Sequence, residues 1–181
     1  VSGGLLLTTP GVGKAVYLLT KAEFEDFDFS FEWRASVGAN SGVKYRIQSY
    51  GNSPGRIEPT GLEYQITDDI ANPDALSTPR HTSGSLYDYA GPTPNKKGPA
   101  KPNVWHTSRI VAKGLHIEHW LDGERVVNLD FDTPEAAATF DFSKRQSKHM
   151  LLKQEQRKSP IALQIHDGVV EFRNLHVKSL K

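Results

Sequence analysis

Between Phe27 and Ala35 the chain alternates without a break: Phe27, Phe29, Phe31 and Trp33 take one parity, while Asp28, Ser30, Glu32 and Arg34 take the other. Successive side chains of a strand point to opposite faces, so the stretch reads as a strand with one buried and one wetted face. The pattern recurs. "SGVKYRIQS" sets Val43, Tyr45 and Ile47 against Lys44, Arg46 and Gln48, and "GLEYQITDD" sets Leu62, Tyr64 and Ile66 against Glu63, Gln65 and Thr67, with Asp68 and Asp69 at the exit. The opening stretch, "SRIVAKG", "LHIEHWLDGERVVNLDF", "PIALQIHDG" and "VVEFRNLHVKSL" continue the theme. Asp122-Gly123, flanked by strand-like sequence, predicts a hairpin, and Asp167-Gly168 predicts a second one by the same logic.

Strands with one apolar and one polar face must bury the apolar one, and many of them linked by turns imply two antiparallel sheets stacked face to face. The expected fold is therefore an all-β sandwich, and if its sheets curve, as those of jelly rolls do, one polar face becomes concave. At 181 residues the chain suits a single domain spanning residues 1–181. Two stretches interrupt the pattern. Residues 88–103 are rich in proline and lysine without periodicity and predict a long surface loop. Residues 134–157 hold helix formers behind Thr133 as a cap and Pro134 as a first-turn proline, which predicts one or two short helices.

Composition removes several classes of function. A net charge of +1 with interspersed signs offers nucleic acid no footprint. The longest apolar run, "GGLLL", is far short of the roughly 20 residues that span a bilayer. Without cysteine there are no disulfides, thiolate zinc sites or thiol nucleophiles. The chain begins at Val1, which is expected of a processed or trimmed protein whose export signal is gone. There is no Gly-x-Ser-x-Gly elbow and no His-Glu-x-x-His run, and "GVGKA" at 11–15 reads as a turn because it lacks the spacing of a phosphate loop. His116 and His119 fall on opposite faces of "HIEHW", so they cannot clamp one metal.

The polar strand faces collect Glu32, Arg34, Lys44, Arg46, Gln48, Glu63, Gln65, Gln164 and His166. One reading is a solvated sheet with cross-strand charge pairs. The other is a sugar-gripping surface: Gln65 and Gln164 lie mid-strand, and amides beside carboxylates both donate to and accept from hydroxyls. His166 alternates with Gln164 and, paired with Glu63, makes an acid–base couple. Trp33 shares parity with three phenylalanines and belongs to the core. Trp105 and Trp120 stand open between core and sugar platform.

In order along the chain, "FEWR", "NSGVKYR", "GLEYQITDD", "SGSLYD", "IEHWLDGERVV", "PIALQIHDG" and "VEFRNLHVKSL" resemble the 3-keto-disaccharide hydrolase family over residues 4–181. The resemblance implies a concanavalin A-like jelly-roll sandwich, export to the periplasm or exterior of a bacterium, and a 3-keto-sugar substrate. It implies chemistry in which a base removes the acidified hydrogen at C2, the group at C1 leaves, and water adds to the enone. On that basis Glu63 and His166 are expected to share the base and acid roles. Arg46 is expected to stabilise the enolate, and Gln65 and Gln164 to hold hydroxyls. Asp69, Tyr87, His119 and Trp120 come from matching motifs as further substrate-binding residues. A divalent metal on Glu63 and His166 is the alternative to Arg46. Two departures stand out: "HDG" inserts Asp167 where the family reads His-Gly, and Asp122-Gly123 replaces Asn-Gly. The family's N-terminal strand is also shortened. Competing readings are a non-catalytic carbohydrate-binding module and an ordinary glycosidase that uses Glu63 with Glu32 or Glu118.

Overall fold

The computed structural model describes residues 5–8, 15–53, 56–93, 98–141 and 148–181. Ten strands form two antiparallel sheets: β1 Leu6–Thr8, β2 Val16–Leu19, β3 Phe27–Ala35, β4 Asn40–Ser53, β5 Arg56–Thr67, β6 His106–Lys113, β7 His116–Leu121, β8 Glu124–Asp130, β9 Ala162–Asp167 and β10 Val170–Ser179. The larger sheet runs β1-β10-β3-β6-β7-β8 and the smaller β2-β9-β4-β5. This is the two-sheet sandwich expected from the alternation, of the concanavalin A-like type that the resemblance implies. Every odd residue of β3 from Phe27 to Ala35 is buried, and these face Val43, Tyr45, Leu62, Tyr64 and Ile66 of the smaller sheet in one core.

Polar struts cross that core. The Ser108 hydroxyl on β6 takes a hydrogen bond from Trp33 Nε1 at 2.8 Å and pairs with Tyr64 Oη of the opposite sheet at 2.7 Å. Tyr45 Oη meets His119 Nε2 at 2.8 Å, and His119 Nδ1 faces the Gly84 carbonyl at 2.9 Å. A carbonyl can only accept, so Nδ1 carries the proton and Nε2 accepts from Tyr45. Burial drives the His119 pKa down to about 4; the ring is a neutral member of the core.

The Asp122-Gly123 hairpin joins β7 to β8, with φ of 51° and 86° at the two turn residues, as a type I′ turn requires. Asp167-Gly168 corrects the second expectation. It is no hairpin, because β9 pairs with β4 in the smaller sheet while β10 pairs with β3 in the larger. The chain changes sheets there, pressed so closely against residues 36–39 that a Cβ on Gly168 (φ +67°) would lie 2.8 Å from Ala39 Cα.

Residues 134–157 contain two helices, α2 Pro134–Asp141 and α3 Lys148–Lys153, as expected. A third, α1 Pro73–Ser77, followed by a 3-10 turn Pro79–His81, went unread. Their signals are local: Asn72 caps the amides of Asp74 and Ala75 ahead of Pro73, and Thr78 does the same for Arg80 ahead of Pro79. The stretch 88–103 is less superficial than expected. Tyr89 and Ala100 are buried, Tyr89 stacks on Phe140 of α2 at 3.9 Å, and the Ala100 amide donates to Asp69 Oδ2. The "GVGKA" turn falls at residues 11–15, of which 11–14 lie outside the described residues. Among the described residues no helix is long and apolar enough to cross a membrane.

Candidate active site

Outward-facing residues of a sheet are ordinarily wet, yet on the smaller sheet Lys44, Glu63 and Gln164 are each no more than 9% exposed and Gln65 only 1%. They line a hollow of about 200 Å³ together with Tyr17, Asn40, Glu58, Tyr87 and His166. Strand register explains the grouping. Tyr17 of β2 lies opposite Gln164 of β9, Gln164 opposite Gly42 of β4, and Gly42 opposite Gln65 of β5, so these four make one row across the sheet. In the next row Lys44 faces Glu63.

Gly42 is the floor. A Cβ there would lie 2.6 Å from Glu63 Oε1 and 3.2 Å from Glu63 Cγ, so the missing side chain is what lets the carboxylate lean over β4. Glu63 Oε2 stands 3.5 Å from Lys44 Nζ, which also donates to the Pro59 carbonyl at 3.1 Å and lies 5.4 Å from the centre of the Tyr17 ring. The amides are held as well: Gln164 Nε2 donates to Tyr17 Oη at 3.1 Å, and Gln65 Nε2 to Asn40 Oδ1 at 3.1 Å. The β4–β9 ladder shifts between Asn40 and Ser41, leaving His166 as the extra residue of a bulge. Its Nδ1 lies 3.4 Å from Asp167 Oδ2, so the inserted acid does sit beside it.

Tyr87 arrives from outside the sheet. Residues 83–87 run along the outer edge of β5: the Gln65 amide donates to the Ser85 carbonyl, the Gly84 amide to Gln65 O and the Tyr87 amide to Glu63 O. From there Tyr87 Oη donates to Asp74 Oδ2 at 3.0 Å, and His81, itself 2.9 Å from Asp74 Oδ1, stacks on the Tyr87 ring at 4.5 Å.

Five expected residues thus share one hollow: Glu63, Gln65, Tyr87, Gln164 and His166. Four do not. Arg46 is a correction: it has φ of 51° within a register shift between Tyr45 and Ser49, and its wholly buried guanidinium donates to Asp26 Oδ1 at 3.0 Å. The irregularity turns it off the polar face that simple alternation assigned to it. His119 points into the core. Trp120 lies on the outer face of the larger sheet, its Nε1 donating to Glu118 and its ring flanked by Arg109 and Arg125. Asp69 accepts from the Ser83 and Ala100 amides and lines a separate cavity with Leu121 and Val126. Burial raises its pKa against those hydrogen bonds. Lys44, Tyr17, Asn40 and Glu58 were missed as site residues, although Lys44 shares the parity of the polar face. Its position opposite Glu63 emerges only once the β4–β5 register is known.

Among the described residues no three His, Asp or Glu side chains converge, and the Glu63 carboxylate faces the Lys44 ammonium group. Glu58 of β5 is a second carboxylate in the hollow, whereas Glu32 and Glu118 are on the larger sheet. Glu32 is bound by Arg173 and Asn174, and Glu118 by Arg125 and Trp120.

The smaller sheet of this concanavalin A-like sandwich thus carries a sunken bed of amides, a carboxylate and a lysine. The chain belongs to the 3-keto-α-glucoside-1,2-lyase-like family, whose model matches residues 1–178. It is 30% identical over 183 residues to the 3-keto-disaccharide hydrolase of Bacteroides thetaiotaomicron, a match that takes in 90% of this chain and 61% of that protein. Two crystal structures of Parabacteroides distasonis proteins provisionally named glycosyl hydrolases share the fold. One has a TM-score of 0.79 at 21% identity, covering 98% of this chain and 81% of the other. The second has a TM-score of 0.75 at 27% identity, covering 99% and 88%. These names make the family one of carbohydrate-active, hydrolase-type proteins.

Proposed function

We propose that this protein cleaves glycosides whose glucose unit carries a ketone at C3. The observation that carries the reading is the Glu63 carboxylate laid over Gly42 with Lys44 Nζ 3.5 Å away, at the floor of a hollow otherwise lined by hydrogen-bonding side chains. A C3 ketone acidifies the hydrogen at C2. Glu63 removes that proton, and the electron pair moves onto the ketone oxygen as an enolate. Lys44 brings the positive charge such an oxygen needs, the role expected of Arg46 before the fold was known. The enolate then collapses, the C1–O bond breaks, and His166 gives its proton to the departing oxygen. Release at this point yields the enone, and addition of water across C1 and C2 yields the 3-keto sugar. Gln65 and Gln164 hold the ring hydroxyls.

This route needs no carboxylate pair spanning an oxocarbenium ion. That suits a sheet whose Glu32 and Glu118 lie on the far side of the sandwich. The names of the family, lyase-like, and of the curated relative, a hydrolase, favour an enzyme over a binding module.

The test is turnover of a 3-keto-glucoside by the wild-type protein, with and without added divalent cations, beside Glu63→Gln. The substitution is expected to cut kcat by about a thousand-fold while binding changes by less than about three-fold. Absence of product from the wild type under all conditions ends the proposal.

A further inference from the structure

The Lys44–Glu63 pair has a hollow on each side. The second one, of about 130 Å³, shares Lys44, Glu58, Glu63 and Tyr87 with the first. It extends the other way along β5, over Pro59, Thr60 and Gly61, and ends against Tyr89 and Leu151. The two differ in what they offer. The first is ringed by amides and imidazole that can hold a ring by several hydroxyls at once. In the second, Tyr89 and Leu151 are 5% and 3% exposed and serve as a backstop; Thr60 is the polar side chain it adds to the shared Lys44, Glu58, Glu63 and Tyr87. That backstop is made by the helical insertion: Leu151 belongs to α3, and Tyr89 is stacked on Phe140 of α2.

We infer that the second hollow is the leaving-group subsite, that Thr60 selects what departs, and that the wall built by α2 and α3 limits it to about one hydroxylated ring. The inference rests on the reaction proposed above and adds where the scissile bond lies: across the Lys44–Glu63 pair, with the attacked sugar toward Gln65 and Gln164 and its partner toward Thr60. Thr60 is a specificity residue in this scheme, since it touches the departing group and not the reacting carbons. A bulky side chain there fills the second hollow and leaves the first unaltered.

The experiment compares two ligands, methyl 3-keto-α-glucoside and the 3-keto form of an α-linked glucose disaccharide, by product release and by calorimetric binding. The proteins are the wild type, Thr60→Trp, Thr60→Leu and, as a conservative control, Thr60→Ser, each checked for a native circular dichroism spectrum. Thr60→Trp is expected to lower kcat/KM and affinity for the disaccharide by about ten-fold or more, while both change less than about two-fold for the methyl glycoside. Thr60→Leu is expected to show the same split in milder form, and Thr60→Ser to behave as wild type. Should Thr60→Trp fail to fold, Thr60→Leu decides alone. Equal losses on the two ligands, or none on either, overturn the subsite. A split in binding without wild-type turnover leaves the subsite standing and removes the reaction. Binding of neither ligand removes both.

Discussion

Gly42 shows how much one absent side chain can decide. It stands mid-strand, where glycine ordinarily weakens a sheet, and the atom it lacks would lie 2.6 Å from the Glu63 carboxylate. Gly42→Ala is therefore expected to displace the carboxylate and lower kcat by about ten-fold or more, with the melting temperature little changed because alanine is the easier residue to order in a strand. Steady-state kinetics beside a thermal melt check both halves. Alternation did put Glu63, Gln65 and Gln164 on the polar face, because each needed only a regular stretch of β5 or β9, the two strands that flank β4. It misplaced Arg46 because a left-handed residue in a strand leaves no mark on the hydrophobic pattern; Arg46 and Lys44 have the same parity and opposite fates.

At the scale of elements, the irregularity in β4 is held from outside the strand. The Arg46 guanidinium leans on Asp26, the Ile47 amide donates to Ser159 Oγ, and Gln48 Nε2 reaches the carbonyls of Arg46 and Gln156. Asp26 also accepts from the Gly114 amide, so it ties β4 to the β6–β7 turn. Removing it strands a buried cation. Asp26→Ala is expected to cost on the order of 3 kcal/mol in a denaturant titration, whereas Asp26→Asn, which still accepts a hydrogen bond, should cost less. Strand-to-strand facts of this kind explain what was legible. The hairpin at Asp122-Gly123 could be read because both ends of the turn lie in one sheet. The same dipeptide at 167–168 misled because nothing local tells a turn within a sheet from a corner between sheets. The helix α1 and the 3-10 turn after it are so short that only one proline-led cap on each betrays them.

For the molecule as a whole, the two sheets are joined by neutral polar contacts that proton uptake can break. His119 bridges Tyr45 and the Gly84 carbonyl, and burial holds its pKa at about 4, below the roughly 6.5 of an unfolded histidine. In that window the unfolded chain binds the extra proton, so stability rises with pH there and is lost as the pH falls from about 6.5 towards 4. Urea titrations at pH 7 and pH 4.5 are expected to differ on the order of a few kcal/mol, and His119→Gln should flatten the part due to this residue. If the two proteins show the same slope, the ring is not the titrating group. The strip at residues 83–87 has a consequence of another kind. It lies on the one flank of β5 where an outside peptide could otherwise zip on, and the same few residues deliver Tyr87 to the hollow. A molecule that lets this strip go becomes sticky and loses one wall of the hollow in a single event, so protection against clumping and the shape of the pocket are kept or forfeited together.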